Sequence, residues 1–258
     1  MPMKLICTVK FVPDPDSCIA GRNRLILNPD DACALAFALA MKSGDPGVTI
    51  EVVTLGPLSV RPHMEDLLRL AVDRGTLIWD PGLEDSDAFV TSRVLSRYIA
   101  GRSCDCVLTG SHSLDGGSAQ VPVQIAERLG LDQMLGVIRI DPDRFDPARA
   151  VFQAVDETGV TTWEMAMPGV LSLTRESGYK LPYPALTDLR RDVSEELNIM
   201  TSRDLGFSAA EVGDAGSLTR VVASCPVTYG EKDPVIVGTD DDGITRVIDF
   251  LKKKGVCR

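Results

Sequence analysis

Hydrophobic positions come in short runs, separated by longer stretches with helical spacing. Residues 4–12 (KLICTVKFV) are apolar-rich and closed by the polar, proline-bearing residues 13–16, so they read as a central strand. A polar loop through residues 21–23 leads to Asn28-Pro29, which starts a helix. Asn28 is placed as N-cap, Pro29 at the first helical position, and Asp30 and Asp31 at the positive end of the dipole. Cys33, Phe37, Ala40 and Met41 form its inner stripe, and residues 44–47 end it. The alternation then repeats. Strands are expected at 48–55, 76–79, 106–108 and 133–140, and helices at 58–72, 86–100 and 118–129.

Strands alternating with helices predict right-handed crossovers and a parallel sheet covered on both faces. Ligands in such sheets sit beyond the C-terminal strand ends. The loops expected there are 12–28, 55–58, 80–86 and 111–117, and they should converge on one site. After residue 142 the pattern changes. A hairpin is expected from 150–155 and 160–165, a short strand at 169–174 and a polar excursion at 188–198. Weak strand signal follows at 218–224, then a loop through 226–234, and a closing helix at 244–254 whose lysines suit its C-terminal end.

The chemistry concentrates in residues 105–130. A buried strand breaks at Gly110, a loop of small residues follows, and Ser118 opens an amphipathic helix stopped by Gly130. Gly116 and Gly117 let the main chain approach a ligand. A strand, a glycine loop and a helix N-terminus present free N–H groups and a positive dipole end, which is an anion site suited to phosphate. An ordinary βα connection shares this local pattern.

Composition narrows the classes. The chain has 258 residues, 44% hydrophobic and 25% charged, as expected for a globular protein with a sizeable core. No apolar run is long enough to span a membrane, and the first residues are too soon broken for a signal peptide. Seven cysteines without C-x-x-C spacing imply reduced core thiols and a cytoplasmic setting. Two histidines support no metal cluster, and the net charge of −10 argues against nucleic acid.

Taken in order, several segments resemble the beta subunit of electron transfer flavoproteins over nearly the whole chain. They are Val9-Lys10, Asn28-Pro29, Leu55-Gly56-Pro57, residues 71–80 (AVDRGTLIWD), residues 110–121, Thr187-Asp188-Leu189-Arg190, Leu197-Asn198-Ile199-Met200 and Asp204-Leu205-Gly206. The resemblance implies an α/β, Rossmann-like fold of adenine-nucleotide-binding type: a parallel sheet with helices on both faces, plus a C-terminal arm. The division it implies is a nucleotide-binding domain at 1–203, with a partner-recognition loop near 188–200, and an arm at 204–258 packing on an alpha subunit. It implies no catalytic residue and no metal, but an electron carrier that shares an FAD with the alpha subunit and holds an AMP or second FAD itself. Carried over, the nucleotide site is Thr8, Asn28, Asp31, Leu55, Gly110, Ser111, Asp115, Gly116, Gly117, Ser118, Ala119, Gln120 and Val121. Asp115 would repel a phosphate, so it goes to ribose or to loop hydrogen bonds. The partner segment is Leu197, Asn198, Ile199 and Met200, with Leu197 as a single protruding anchor for an acyl-CoA dehydrogenase-type flavoenzyme.

Two departures bear on this. Val121 stands where AMP-binding members carry a hydroxyl, which is more similar to the electron-bifurcating branch with a second FAD and NADH oxidation. The partner segment also lacks the proline that members carry there. Other classes fit less well. A pyrophosphatase-type ATP hydrolase or ligase would need an S-G-G-x-x-S loop where residues 12–17 read VPDPDS. A nicotinamide oxidoreductase would need G-x-G-x-x-G, which is absent from the chain. A stand-alone nucleotide-binding module is the remaining alternative.

Overall fold

The structure is a computed structural model that describes residues 3–16, 24–223, 225 and 235–256. The expected loops through 21–23 and 226–234 lie outside the described residues. Contacts divide the chain into two units, Met1–Arg220 and Val221–Arg258.

The first unit is built on a nine-stranded sheet. Its strands, in chain order, are β1 (Lys4–Thr8), β4 (Thr49–Leu55), β5 (Arg74–Ile78), β6 (Cys106–Gly110), β7 (Asp132–Asp146), β8 (Arg149–Asp156), β9 (Gly159–Ala166), β10 (Gly169–Leu173) and β11 (Leu197–Met200). A separate antiparallel pair, β2 (Phe11–Pro13) and β3 (Leu25–Leu27), takes the end of the run that the sequence assigns to one long first strand. The spatial order is β11-β5-β4-β1-β6-β10-β7-β8-β9. Pairing is parallel from β11 through β7 and antiparallel across β7, β8 and β9. The expected hairpin is therefore present, but it extends the main sheet.

Both faces are covered, which is why the central strands read as unbroken apolar runs. Alternate residues go to opposite sides. Leu5, Cys7, Val52, Leu108 and Leu171 face one core, and Ile6, Val53, Val107 and Val170 face the other. On the first face lie α1 (Pro29–Gly44) and α2 (Arg61–Leu68); on the second lie α3 (Ala88–Ala100) and α4 (Gln120–Leu129). Every residue from Cys33 to Leu39 of α1 is buried. The far side of α1 is covered as well, with Phe37 ring centroids 5.2 Å from Phe145 and 5.4 Å from Tyr179. Gly136, at φ +70°, lies where β7 slips register against its neighbours, and that bulge bends the strand.

From β1 the chain builds outward in both directions, to β4 and β5 on one side and to β6 on the other. That reversal opens a crevice above the carboxyl ends of β1 and β6, the place where such sheets bind ligands.

Strand β11 departs from the expected polar excursion. It pairs in parallel with β5 as the sheet's edge, Leu197 opposite Gly75 and Met200 opposite Ile78. Leu197 does not protrude. It is half-buried against the first core, and a Cβ at Gly75 would sit 3.3 Å from its Cδ1. The exposed apolar side chains of this region come earlier: Tyr183 at 97%, Leu186 at 86% and Leu189 at 49% exposure. Residues 204–220 pack with the first unit, where Phe207 and Val212 are buried in the second core. No strand is described at 218–223.

The second unit contains one helix, α5 (Asp241–Lys253). Asp240 caps it by accepting from Gly243 N at 2.9 Å, and Asp241 and Asp242 sit at its positive end. Ile244, Val247, Ile248 and Phe250 are all exposed along it.

The placement of Leu197 sets the first prediction. Leu197→Ala should lower the melting temperature by about 3–6 °C, as for a half-buried Leu in a domain of this size. Leu186→Ala should leave it within about 2 °C. Thermal denaturation of the two variants side by side checks this.

Candidate functional site

Above the carboxyl ends of β1, β4, β5 and β6 lies a cavity of about 610 Å³. Of the residues carried over from the resemblance, eleven line it: Thr8, Asn28, Asp31, Leu55, Gly110, Ser111, Gly116, Ser118, Ala119, Gln120 and Val121. Asp115 and Gly117 lie in the same loop without forming its wall. Three of the four expected loops, 55–58, 80–86 and 111–117, line it together; of the described residues of the first, 12–28, only Asn28 does. Sequence reasoning did not single out Trp79, Asp80, Asp87 or His112 as site residues, yet all four line the cavity. Their only signal was position, in loops after β5 and β6.

The start of α1 wires this region together. Asn28 does not cap the helix through its side chain. Its Nδ2 donates to His112 O at 2.9 Å and its Oδ1 accepts from Leu114 N at 3.1 Å, so the amide holds the loop after β6. Asp31 accepts from Lys10 N at 2.8 Å and from Gly110 N at 2.9 Å, which joins the exits of β1 and β6. Burial pushes its carboxyl up to about 7, against those backbone hydrogen bonds. Asp30, 1% exposed, accepts from Arg175 N at 3.1 Å and faces His112 Nδ1 at 3.0 Å.

The loop enters α4 through left-handed turns. Gly117 has φ +60° and Ala119 φ +53°. Ala119 therefore takes the N-cap position, while Ser118 Oγ accepts only a long 3.4 Å bond from Gln120 N. This corrects the expected Ser118 cap: left-handed geometry, not a side-chain oxygen, turns the chain into the helix. The two left-handed residues flank Ser118 at the entrance to α4, where the positive end of the helix dipole lies. Asp115 is engaged with Lys10 Nζ at 2.7 Å and with Gly116 N at 2.7 Å. Partial burial opposes its charge, but the Lys10 ammonium and loop donors hold its carboxyl below the usual range.

Opposite this loop, Leu55, Pro57, Trp79 and Leu83 supply an apolar wall. The acids there are mostly committed. Asp80 accepts from Gly82 N at 2.8 Å and Ser202 N at 2.6 Å; Asp87 caps α3 at Val90 N, 3.0 Å, and accepts from Leu218 N at 2.9 Å. Desolvation opposes their charge, and these hydrogen bonds outweigh it, so both carboxyls lie below the usual range. Glu84 and Asp85 remain exposed on this rim. Among the described residues no group of three or more His, Cys, Asp or Glu could hold a metal ion, and no helix is long and apolar enough to cross a membrane. Burial raises the thiols of Cys7, Cys33, Cys104 and Cys106, which therefore act as core side chains.

The loop that enters α4 and the apolar wall thus line one cavity at the carboxyl edge of the sheet. The description "Electron transfer flavoprotein domain" matches residues 18–185. The chain belongs to the electron transfer flavoprotein family. Within it, the chain is similar to beta subunits. It is 26% identical, over 98% of its length and 100% of the relative's, to the electron transfer flavoprotein subunit beta of Thermoanaerobacterium thermosaccharolyticum. It is 28% identical to the caffeyl-CoA reductase-Etf complex subunit CarD of Acetobacterium woodii, over 96% of this chain and 94% of that one. The acryloyl-CoA reductase electron transfer subunit gamma of Anaerotignum propionicum is 26% identical, over 98% and 100% respectively.

Two outcomes test the wiring of this electron transfer flavoprotein subunit. A Cβ at Gly110 would lie 2.7 Å from Asp31 N and 2.8 Å from Asp30 Cβ. Gly110→Ala should therefore cost about 1–3 kcal/mol as overpacking, read as a lower denaturant midpoint. Asp31 has a folded value of about 7, above the roughly 3.9 of an unfolded Asp. The folded state thus binds the extra proton between those values, and this carboxyl's contribution to stability falls as pH rises from about 4 to about 7. Midpoints measured across that range should show the slope in the natural chain and lose it in Asp31→Asn.

Proposed function

We propose that this chain is the nucleotide-holding beta subunit of a heterodimeric electron transfer flavoprotein. It pairs with an alpha subunit, shares an FAD with it, and binds an adenine nucleotide in its own cavity. The observation that carries the reading is the left-handed turn at Gly117 and Ala119, which opens main-chain donors toward the α4 N-terminus at the sheet's topological switch point. The cavity is within the usual range for cofactor sites, about 300–1,000 Å³. When bound, the shared FAD supplies the electron transfer. The chain's own residues then hold and orient: the 118–121 segment at the α4 N-terminus takes phosphate, the Leu55–Trp79 wall takes the base, and Asp31 and Asn28 fix the loops. No residue of this chain is assigned bond chemistry, and a cytoplasmic setting suits its free thiols.

A second FAD, rather than AMP, is favoured by Val121, which offers only its backbone N–H where a hydroxyl donor is expected for AMP. That version includes NADH oxidation and electron bifurcation. Two relatives named for CoA-thioester reductases support an acyl-CoA-type flavoenzyme as electron partner. The partner surface is the 183–200 segment. Its exposed Tyr183, Leu186 and Leu189 are the apolar contacts, beside Asn198 and Ile199 on β11; Leu197 and Met200 support the strand from inside. The exposed apolar side chains of α5 pack on the alpha subunit, so the C-terminal arm is an assembly element.

Denaturing the purified heterodimer and identifying the released nucleotides by chromatography and mass tests this. Two FAD per heterodimer are expected. One FAD with one AMP overturns the two-flavin version, and a single FAD with no further adenine nucleotide overturns the site.

A further inference from the structure

Asp30 does more than the helix start requires. It is 1% exposed, and it holds two partly exposed side chains, an imidazole and a guanidinium, from different loops. His112 Nδ1 lies 3.0 Å from Oδ2, and Arg175 Nε lies 3.5 Å from Oδ1. With Nδ1–H donating to the carboxylate, His112 Nε2 is left outward, where Arg175 Nη2 donates to it at 3.4 Å. The loop does not need this ring to fold. Asn28 already holds His112 O and Leu114 N, and Asp31 already holds Gly110 N. A buried carboxylate has thus been committed to orienting His112, which lines the cavity, and Arg175 beside it.

Position completes the argument. Gly117 N donates to Ser113 O at 2.9 Å, so residues 113–117 fold as one turn. That turn brings His112, on one of its flanks, toward the 118–121 amides on the other. Lys10, the other cation at the wall, is paired with Asp115. On the far rim Glu84 and Asp85 are exposed, so a growing phosphate chain is repelled there and attracted toward His112 and Arg175.

We propose that His112 and Arg175 form a second phosphate subsite, which takes the outer phosphate of a nucleoside diphosphate whose inner phosphate sits on the 118–121 segment at the start of α4. An outer phosphate oxygen would accept from the Arg175 guanidinium, which His112 Nε2 holds in place by accepting from Nη2. The inference rests on the nucleotide reading of the cavity and adds its preference: diphosphates over monophosphates, with these two side chains as the cause.

The test is equilibrium binding of ADP and AMP to the full chain freed of nucleotide, for the natural protein, His112→Ala, Arg175→Gln and Arg175→Lys. Charge-assisted hydrogen bonds of this kind predict ADP binding at least about tenfold more tightly than AMP. His112→Ala and Arg175→Gln should remove that preference while AMP affinity stays within about twofold. Arg175→Lys should keep part of it, and melting curves should show all variants folded. Equal affinities for ADP and AMP in the natural chain overturn the subsite while leaving the nucleotide site intact. So does an equal loss of both ligands in the variants. Failure of both nucleotides to bind the natural chain overturns the nucleotide reading and the subsite with it.

Discussion

Three buried side chains at the start of α1 set the geometry on which the rest of the site depends. Asn28, Asp30 and Asp31 are each less than a tenth exposed. A buried polar group without a partner costs about 1–3 kcal/mol, more if charged, so each must find donors or acceptors nearby. The donors available are backbone N–H groups at strand exits. Asp31 takes those of Lys10 and Gly110, Asn28 takes that of Leu114, and Asp30 takes that of Arg175. The requirement to satisfy buried oxygens therefore becomes a set of ties between β1, β6 and β10. Glycine at 110 follows from the same requirement, because the helix start approaches too closely for a side chain.

Those ties decide what is left free. With one flank of the 111–117 loop held by Asn28 and Asp31, the other takes up the left-handed turn at Gly117 and Ala119 that leads into α4. Main-chain donors suit this chain well. At a net charge of −10, a cluster of lysines would soon be drawn into ion pairs, as Lys10 is by Asp115. Amides and a helix dipole cannot be neutralised that way. The acids around the cavity are likewise placed to build: Asp80 and Asp87 hold turns and a helix cap, which leaves Glu84 and Asp85 as the exposed negative rim.

How much of this was legible depended on where the information resides. Continuous apolar runs such as VVTL and CVL announced strands buried on both faces, and Asn28-Pro29-Asp30-Asp31 announced a helix start. The convergence of loops followed from alternation alone. Three things were not legible. The four-residue β11 offers Leu197-Asn198-Ile199-Met200, too short for a strand signal, and its pairing with β5 is a tertiary fact. The left-handed state of Ala119 is set by the loop's closure, since alanine has no preference for it. Asn28 looked like an N-cap because its residue type favours that role, but its side chain was drawn away by the carbonyl and amide of residues 112 and 114. In each case tertiary contact overrode local preference.

The same reasoning separates two kinds of apolar surface. Leu197, on an edge strand two positions from exposed Ile199, still has the core beneath it. Leu186 lies on no strand and is 86% exposed, as Tyr183 is at 97%. One or two such side chains, each worth about 1.5–3 kcal/mol on full burial, suit a contact that must form and release quickly. Helix α5 differs in kind. Ile244, Val247, Ile248 and Phe250 are exposed within a single helix, and their joint burial is beyond what a transient contact needs. An electron carrier with a permanent partner and passing ones requires both kinds of surface. In this chain exposed apolar side chains of both kinds occur, single ones such as Leu186 in the first unit and a helical set in the second.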